Sequence, residues 1–341
     1  MLLSRRNLVT LSFAGLLPAL PAAAHGTVNV YTTREPGLLQ PVLQRFTAET
    51  GVAVNTVFLR QGVAERVEAE GAASPADLVI LADIGELVDF SRRNLAQPMA
   101  LPVTSVVPPG LRDVADRWVA LTMRARAILV SRERVQDTAL TYEALADPRW
   151  RGKLCMRSGQ HPYNTALIAA HLEHHGEAAT IEWLTRMKAN LARRPAGGDR
   201  EVARDIMGGL GDIGVSNTYY VGLMLSGRGG EQQQAWAQAV RMVLPTFSDG
   251  AGAHVNVSGA AVARHAPNAA QARQLLGWLL QPEAQRQLSE ANFEYPVRPG
   301  VESHPLITAL GPLRLDRVSL QRIAERRAEA SLLVDRVGFD R

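Results

Sequence analysis

Apolar and polar positions follow two rhythms along this chain, and the rhythm changes at short intervals. Val28-Asn29-Val30-Tyr31 alternates every second residue, as a strand does. Over 38–50 the apolar residues Leu39, Val42, Leu43 and Phe46 recur at three and four, which predicts a helix, and Gly51 supplies its stop. The same reading predicts a strand over 52–58, a short charged helix over 63–71, a buried-type strand over 77–81 and a helix over 84–94. A βαβαβ order calls for a parallel sheet with right-handed crossovers.

The next strand, 119–130, is long enough to span two lobes. Helices are predicted over 163–175, 178–190 and 199–208, and strands over 212–215, 241–244 and 254–263. Helices over 268–280 and 283–290 follow, and a single amphipathic helix over 317–333 closes the chain. Strands of one lobe thus lie on both sides of the other in sequence. We assign 25–123 plus 250–300 to a first lobe and 124–249 plus 301–341 to a second.

The first residues change the picture of where this fold works. Ser4-Arg5-Arg6-Asn7-Leu8 precedes an apolar stretch, and Ala22-Ala23-Ala24 offers a cleavage site before His25. Residues 1–24 read as a secretory signal peptide, and the twin arginine points to the route that exports folded proteins. No later segment reaches the roughly 18 apolar residues of a membrane span, so no stable membrane insertion is expected. Losing Arg5 and Arg6 lowers the formal charge of +4 by two, which leaves no nucleic-acid footprint. Cys155 is the only cysteine, so an internal disulfide and cysteine-type structural zinc are excluded.

The chemistry centres on Tyr219-Tyr220, adjacent in a chain with six tyrosines. They follow the short apolar strand around Ile213 and Val215, with Ser216-Asn217-Thr218 as a turn into a helix. At such a corner both phenols can face one cleft, whereas in a regular strand they would face opposite ways. Phenolate oxygen suits a hard cation such as Fe(III). An aromatic pair packing a loop is the competing reading from these two residues alone.

Several further segments together resemble one family. They are Val28-Asn29-Val30-Tyr31-Thr32-Thr33-Arg34, Phe46-Thr47-Ala48-Glu49-Thr50-Gly51, Ser74-Pro75-Ala76-Asp77, Arg124-Ala125-Arg126, the run Tyr142-Glu143-Ala144-Leu145-Ala146-Asp147-Pro148-Arg149-Trp150-Arg151-Gly152-Lys153, Tyr163-Asn164 and Ser216-Asn217-Thr218-Tyr219-Tyr220. In order and number they resemble the periplasmic ferric iron-binding proteins, the transferrin-like solute-binding family that feeds ATP-driven importers. The resemblance implies an α/β, type II periplasmic binding protein, a Venus-flytrap with crossing hinge strands that closes on its ligand. It implies a monomer whose partners are an inner-membrane ABC permease and ATPase, with Fe(III) as cargo.

Carried over, the metal-binding tyrosines are Tyr163, Tyr219 and Tyr220. The family's first lobe usually adds an adjacent histidine and tyrosine, where this chain has Glu35 and Pro36. Glu35 still offers a hard oxygen and Pro36 offers nothing. Carbonate, another small anion or water would complete the coordination, with Arg34 and Arg126 as candidates to hold the anion. That departure also leaves open another anionic cargo, such as an organic phosphonate or chelated iron. A metal-dependent cleft enzyme is disfavoured, because no His or Glu near the tyrosines in sequence supplies a base. His171, His174 and His175 lack the glutamate of a metalloprotease motif and are expected on a solvated helix face. Asp83 is expected to cap the helix that follows it.

Overall fold

In the computed structural model, residues 26–100 and 102–341 are described. The signal peptide expected over residues 1–24, with its twin arginine, lies outside the described residues.

The chain opens with β1 (Thr27–Thr32), α1 (Pro36–Thr50), β2 (Ala53–Phe58), α2 (Val63–Glu70), β3 (Leu78–Leu81) and α3 (Ile84–Arg92). β1 pairs in parallel with both β2 and β3, as the βαβαβ order requires. All four residues of β3 are buried, because helices cover both faces of a parallel sheet. Pro36 stands at the start of α1, where the missing N–H costs nothing and the fixed φ suits the helix. Asp83 caps α3 as expected, its Oδ1 accepting from Gly85 N at 2.8 Å.

β4 (Val119–Ser131) comes next and joins the two halves of the molecule. After it follow β5 (Leu154–Cys155), α4 (Pro162–Asn190), α5 (Asp199–Met207), β6 (Ile213–Asn217), α6 (Thr218–Leu225), α7 (Glu231–Gln238) and β7 (Val240–Val243). The chain then returns through β8 (Val255–Val262), α8 (Ala269–Leu279), α9 (Pro282–Asn292) and β9 (Tyr295–Pro296). It ends in α10 (Pro305–Thr308), α11 (Leu320–Glu325) and α12 (Arg327–Val337).

The strand order is β2-β1-β3-β8-β4-β6-β5, with β7 and β9 also on β4. The beginning of β4 pairs antiparallel with β8, from Val119 opposite Ala260 to Ala125 opposite Val255. Its end pairs antiparallel with β6 and β7. One strand therefore serves two half-sheets, and β8 is laid back into the first after the second is complete. A separate apolar core of Leu129, Cys155, Val202, Ile206, Met224 and Trp236 packs around α5 to α7. Burial pushes the Cys155 thiol up to about 11, so it behaves as a core side chain.

Two expectations change. The closing helix is broken: α11 and α12 meet at Arg326, whose φ of −93° and ψ of 1° turn the chain. α11 then bridges α3 and α4, while α12 lies along α4. The histidine face of α4 is largely covered rather than solvated, by the turn at Glu143–Ala146 and by Phe247, whose ring centre lies 4.1 Å from that of His174. His171 is 2% exposed and stacks on Trp183, with ring centres 4.2 Å apart. Both ring nitrogens of His174 face carboxylates, Asp249 at 3.0 Å and Asp316 at 2.9 Å.

Candidate functional site

Three tyrosines converge because two helices begin at the same level beside β4. α4 starts with Pro162 and Tyr163 after His161, whose Nδ1 accepts from Tyr163 N at 3.2 Å. Burial, then the neighbouring Arg157, pushes His161 down to about 4, which keeps the imidazole neutral and able to accept. α6 starts directly from β6 and carries Tyr219 and Tyr220 in its first turn. Adjacent positions on a helix differ by about 100°, so both rings can lean toward one side. The rings lie 4.2 Å apart, tilted by 33°. Tyr163 Oη is 3.3 Å from Tyr219 Oη, though the residues are 56 apart in sequence.

These phenols line a cavity of about 400 Å³. Thr33, Arg34, Glu35 and Leu38 border it from the first half-sheet, and Arg124, Arg200, Arg228 and Glu294 complete the charged lining. Burial, then the negative charge that Tyr163 and Tyr220 would carry, pushes Tyr219 well above the ordinary phenol value. Burial likewise raises Tyr220. Without a cation these two stay protonated near neutrality. A polyvalent cation would reverse this by replacing the protons.

Glu35 stands at the exposed start of α1, where its side chain makes no capping bond. It borders the cavity and has no ion pair among the described residues. Arg34 does not pair with it. Its Nη2 lies 2.6 Å from Glu294 Oε2, and Nη1 reaches Glu294 Oε1 at 3.3 Å and Ser258 Oγ. Burial alone would raise the Glu294 carboxyl, but Arg34 and Arg124 more than offset this and hold it below the usual carboxylate range. Thr122 Oγ1 donates to the same carboxylate at 2.5 Å.

Neither arginine singled out from sequence presents an idle fork. Arg126 is buried behind the tyrosines and does not border the cavity. Its guanidinium is held by Asp199, by Asn217 Oδ1 at 3.2 Å and by Asn164 Oδ1 at 2.7 Å. It supports the site from behind, 5.9 Å from the Tyr163 ring centre. The residues that sequence reasoning passed over are Arg124, Arg200 and Glu294. Arg124 borders the cavity with a buried Nε that has no partner among the described residues. Arg200 borders it with its guanidinium 5.4 Å from the Tyr220 ring centre and no hydrogen bond among the described residues. Arg124 was legible only as part of the segment with Arg126, two residues on and so on the same strand face. Nothing local marks Glu294, whose partner Arg34 is 260 residues away.

Phenols, a carboxylate and guanidinium groups around one cavity make a place for a hard, highly charged cation with an anion beside it. Comparison with known proteins agrees with that chemistry. A family model for bacterial extracellular solute-binding proteins matches residues 73–309. The chain is 34% identical to iron uptake protein A2 of Synechocystis sp., over 95% of this chain and 93% of that protein. It superposes on a Bordetella ferric binding protein with a TM-score of 0.89 at 49% identity, covering 92% of this chain and 100% of that one. A Trichodesmium protein (IdiA, FutA), solved in complex with iron and citrate, gives a TM-score of 0.87 at 35% identity, covering 92% and 100%.

Proposed function

The chain belongs to the bacterial extracellular solute-binding protein family, and on that premise we propose that it captures Fe(III) in the periplasm for an ATP-driven importer. The observation that carries this reading is the convergence of Tyr163, Tyr219 and Tyr220 on one cavity, with Glu35 bordering it from the first half-sheet. In this reading the three tyrosines bind Fe(III) as phenolates and Glu35 adds a first-lobe carboxylate. The lobe assignment of 25–123 plus 250–300 against 124–249 plus 301–341 belongs to the same proposal. So do a monomeric protein, a permease and ATPase as partners, export by the twin-arginine route, and a binding role without catalysis.

A bare ion does not fill about 400 Å³, since a water's share of liquid volume is about 30 Å³. That volume and the open donors of Arg124 and Arg200 favour Fe(III) taken with an anion, carbonate or a small polycarboxylate. Arg34 and Arg126 then act behind the anion, holding Glu294 and Asp199 in place.

Titration of the purified protein with ferric citrate tests the assignment. A broad visible phenolate-to-iron band should develop. Changing Tyr219 and Tyr220 to Phe should remove the band. It should also weaken binding by more than the roughly 10–100-fold that loss of a supporting group costs. A wild-type protein that stays colourless overturns the assignment.

A further inference from the structure

Outside the cleft, one turn of α4 and the segment folded over it bring two imidazoles and a carboxylate together. We propose that Glu143, His171 and His175 form a second metal site, one that takes a divalent cation of the zinc type. Their donor atoms all lie within 4.8 Å of one another. His171 and His175 are four residues apart on α4 and so share a face, with ring centres 4.5 Å apart.

The ring of His171 is set by its surroundings. The Thr180 hydroxyl gives its one proton to Gly176 O at 2.8 Å, so it accepts at 2.8 Å from His171 Nδ1. His171 therefore carries its proton on Nδ1, and Nε2 keeps a lone pair. Stacking on Trp183, with an interplanar angle of 7°, fixes the ring plane. A hydrogen bond on one nitrogen, with the other left bare, is the support a metal-bound imidazole requires. The break at Gly176, with φ of 77° and ψ of 175°, separates Thr180 from the histidines as a second helical stretch.

Glu143 is tied to the same assembly. Trp183 Nε1 donates to Tyr142 O at 3.0 Å, and Glu143 Oε2 accepts from Ser248 N at 3.0 Å. Glu143 Oε1 lies 2.6 Å from His175 Nε2, within hydrogen-bond distance across the place where a metal would sit. Zinc bonds of about 2.0–2.1 Å in a tetrahedron set ligands about 3.3 Å apart, so this pair opens by less than about 1 Å on binding. The side chains of His175 and Glu143 are 20% and 24% exposed, which gives the ion an entry and water the fourth position. His174 is outside the set, because Asp249 and Asp316 take both its nitrogens. Two imidazoles and one carboxylate suit Zn²⁺, in contrast to the phenolate oxygens of the cleft. Bound metal would pin the segment carrying Glu143 to the helix whose first turn carries Tyr163, about 12 Å along its axis.

Co²⁺, titrated into chelator-stripped protein, is a visible probe of tetrahedral sites. Glu143→Gln and His175→Gln should each lose one equivalent of bound Co²⁺, or bind it at least tenfold more weakly, and Zn²⁺ should displace it from the wild type. Both variants should still develop the ferric band, which separates this site from the cleft. Equal Co²⁺ stoichiometry and affinity in the wild type and both variants overturns the proposal, as does a wild type that binds no Co²⁺ at micromolar concentration.

Discussion

At the scale of single residues, two carboxylates bordering the space between the half-sheets behave differently. Glu35 is exposed and borders the cavity with no ion pair among the described residues, and under the proposed function it would add its oxygen after capture on the tyrosines. Glu35→Gln should leave a coloured protein that loses iron to a chelator roughly tenfold faster, and unchanged release would remove Glu35 from the ligand set. Glu86 is the opposite case. Burial, then the charge of Asp83, pushes it up to about 7, against about 4.3 in an unfolded chain. Between these values the native state holds a proton that the unfolded chain has lost. Its contribution to stability is therefore full below the unfolded value and falls as pH rises through about 7. Glu86→Gln should remove that fall, gaining up to about 3 kcal/mol over the wild type at pH 8 relative to pH 4. Parallel stability curves from denaturant titrations at several pH values would count against it. The tyrosine pair was legible in sequence because adjacency at a strand-to-helix corner is a local property. The Arg34–Glu294 pair was not, because it depends on how β1 and the end of α9 meet.

At the scale of elements, the two hydrophobic rhythms placed the longer strands and most of the helices, since each buries one face and its spacing records which; the short elements β5, α7, β9 and α10 carry no such rhythm and were not predicted. The failure at 317–333 has the same cause in reverse. α11 and α12 bury faces against different neighbours, and an apolar stripe that changes partner still reads as continuous. The histidine face of α4 was misread because the turn covering it comes from residues 143–146. α6 adds a constraint that no periodicity carries. A Cβ on Gly222 would sit 2.7 Å from Phe293 Cβ, well inside the 3.5–4.0 Å of carbon contact. Arg228 closes the same junction, donating to Ala291 O at 3.0 Å. Gly222→Ala should therefore push α6 away from the end of α9. This would override the roughly 1 kcal/mol that Ala gains over Gly within a helix. The expected result is faster iron release and a larger radius of gyration by small-angle scattering. Wild-type compaction and release would mean that the junction yields locally.

At the scale of the whole molecule, β4 couples the halves by its backbone and cannot by itself set the angle between them. Side chains across the gap do so, and one pair stands out. Arg327, at the start of α12 against α4, pairs with Asp83 at the start of α3. Burial alone would raise the Asp83 carboxyl, but Arg327 and then Arg124 more than offset it and hold it below the usual range. Asn256 Nδ2 donates to its other oxygen at 2.8 Å, so Asp83 is fixed to the first half-sheet, while Arg327 sits on the helix packed against α4. Both side chains are largely buried, at 11% and 19% exposed, so their attraction is little screened. They also border a second cavity, of about 660 Å³, which shares Thr33, Ala82 and Tyr163 with the tyrosine cavity. Under the proposed function, a clasp on this side would favour the closed arrangement without touching the cargo. Arg327→Gln leaves Asp83 without its main counter-charge, and separating the halves lets water solvate it. The variant should still colour with Fe(III), because Tyr163, Tyr219 and Tyr220 are intact. It should scatter as a more open particle and release iron faster to a chelator. The pair would be a surface ornament if Arg327→Gln kept both compaction and retention, and the hold on the cargo would then rest on Glu35 and the α6–α9 junction.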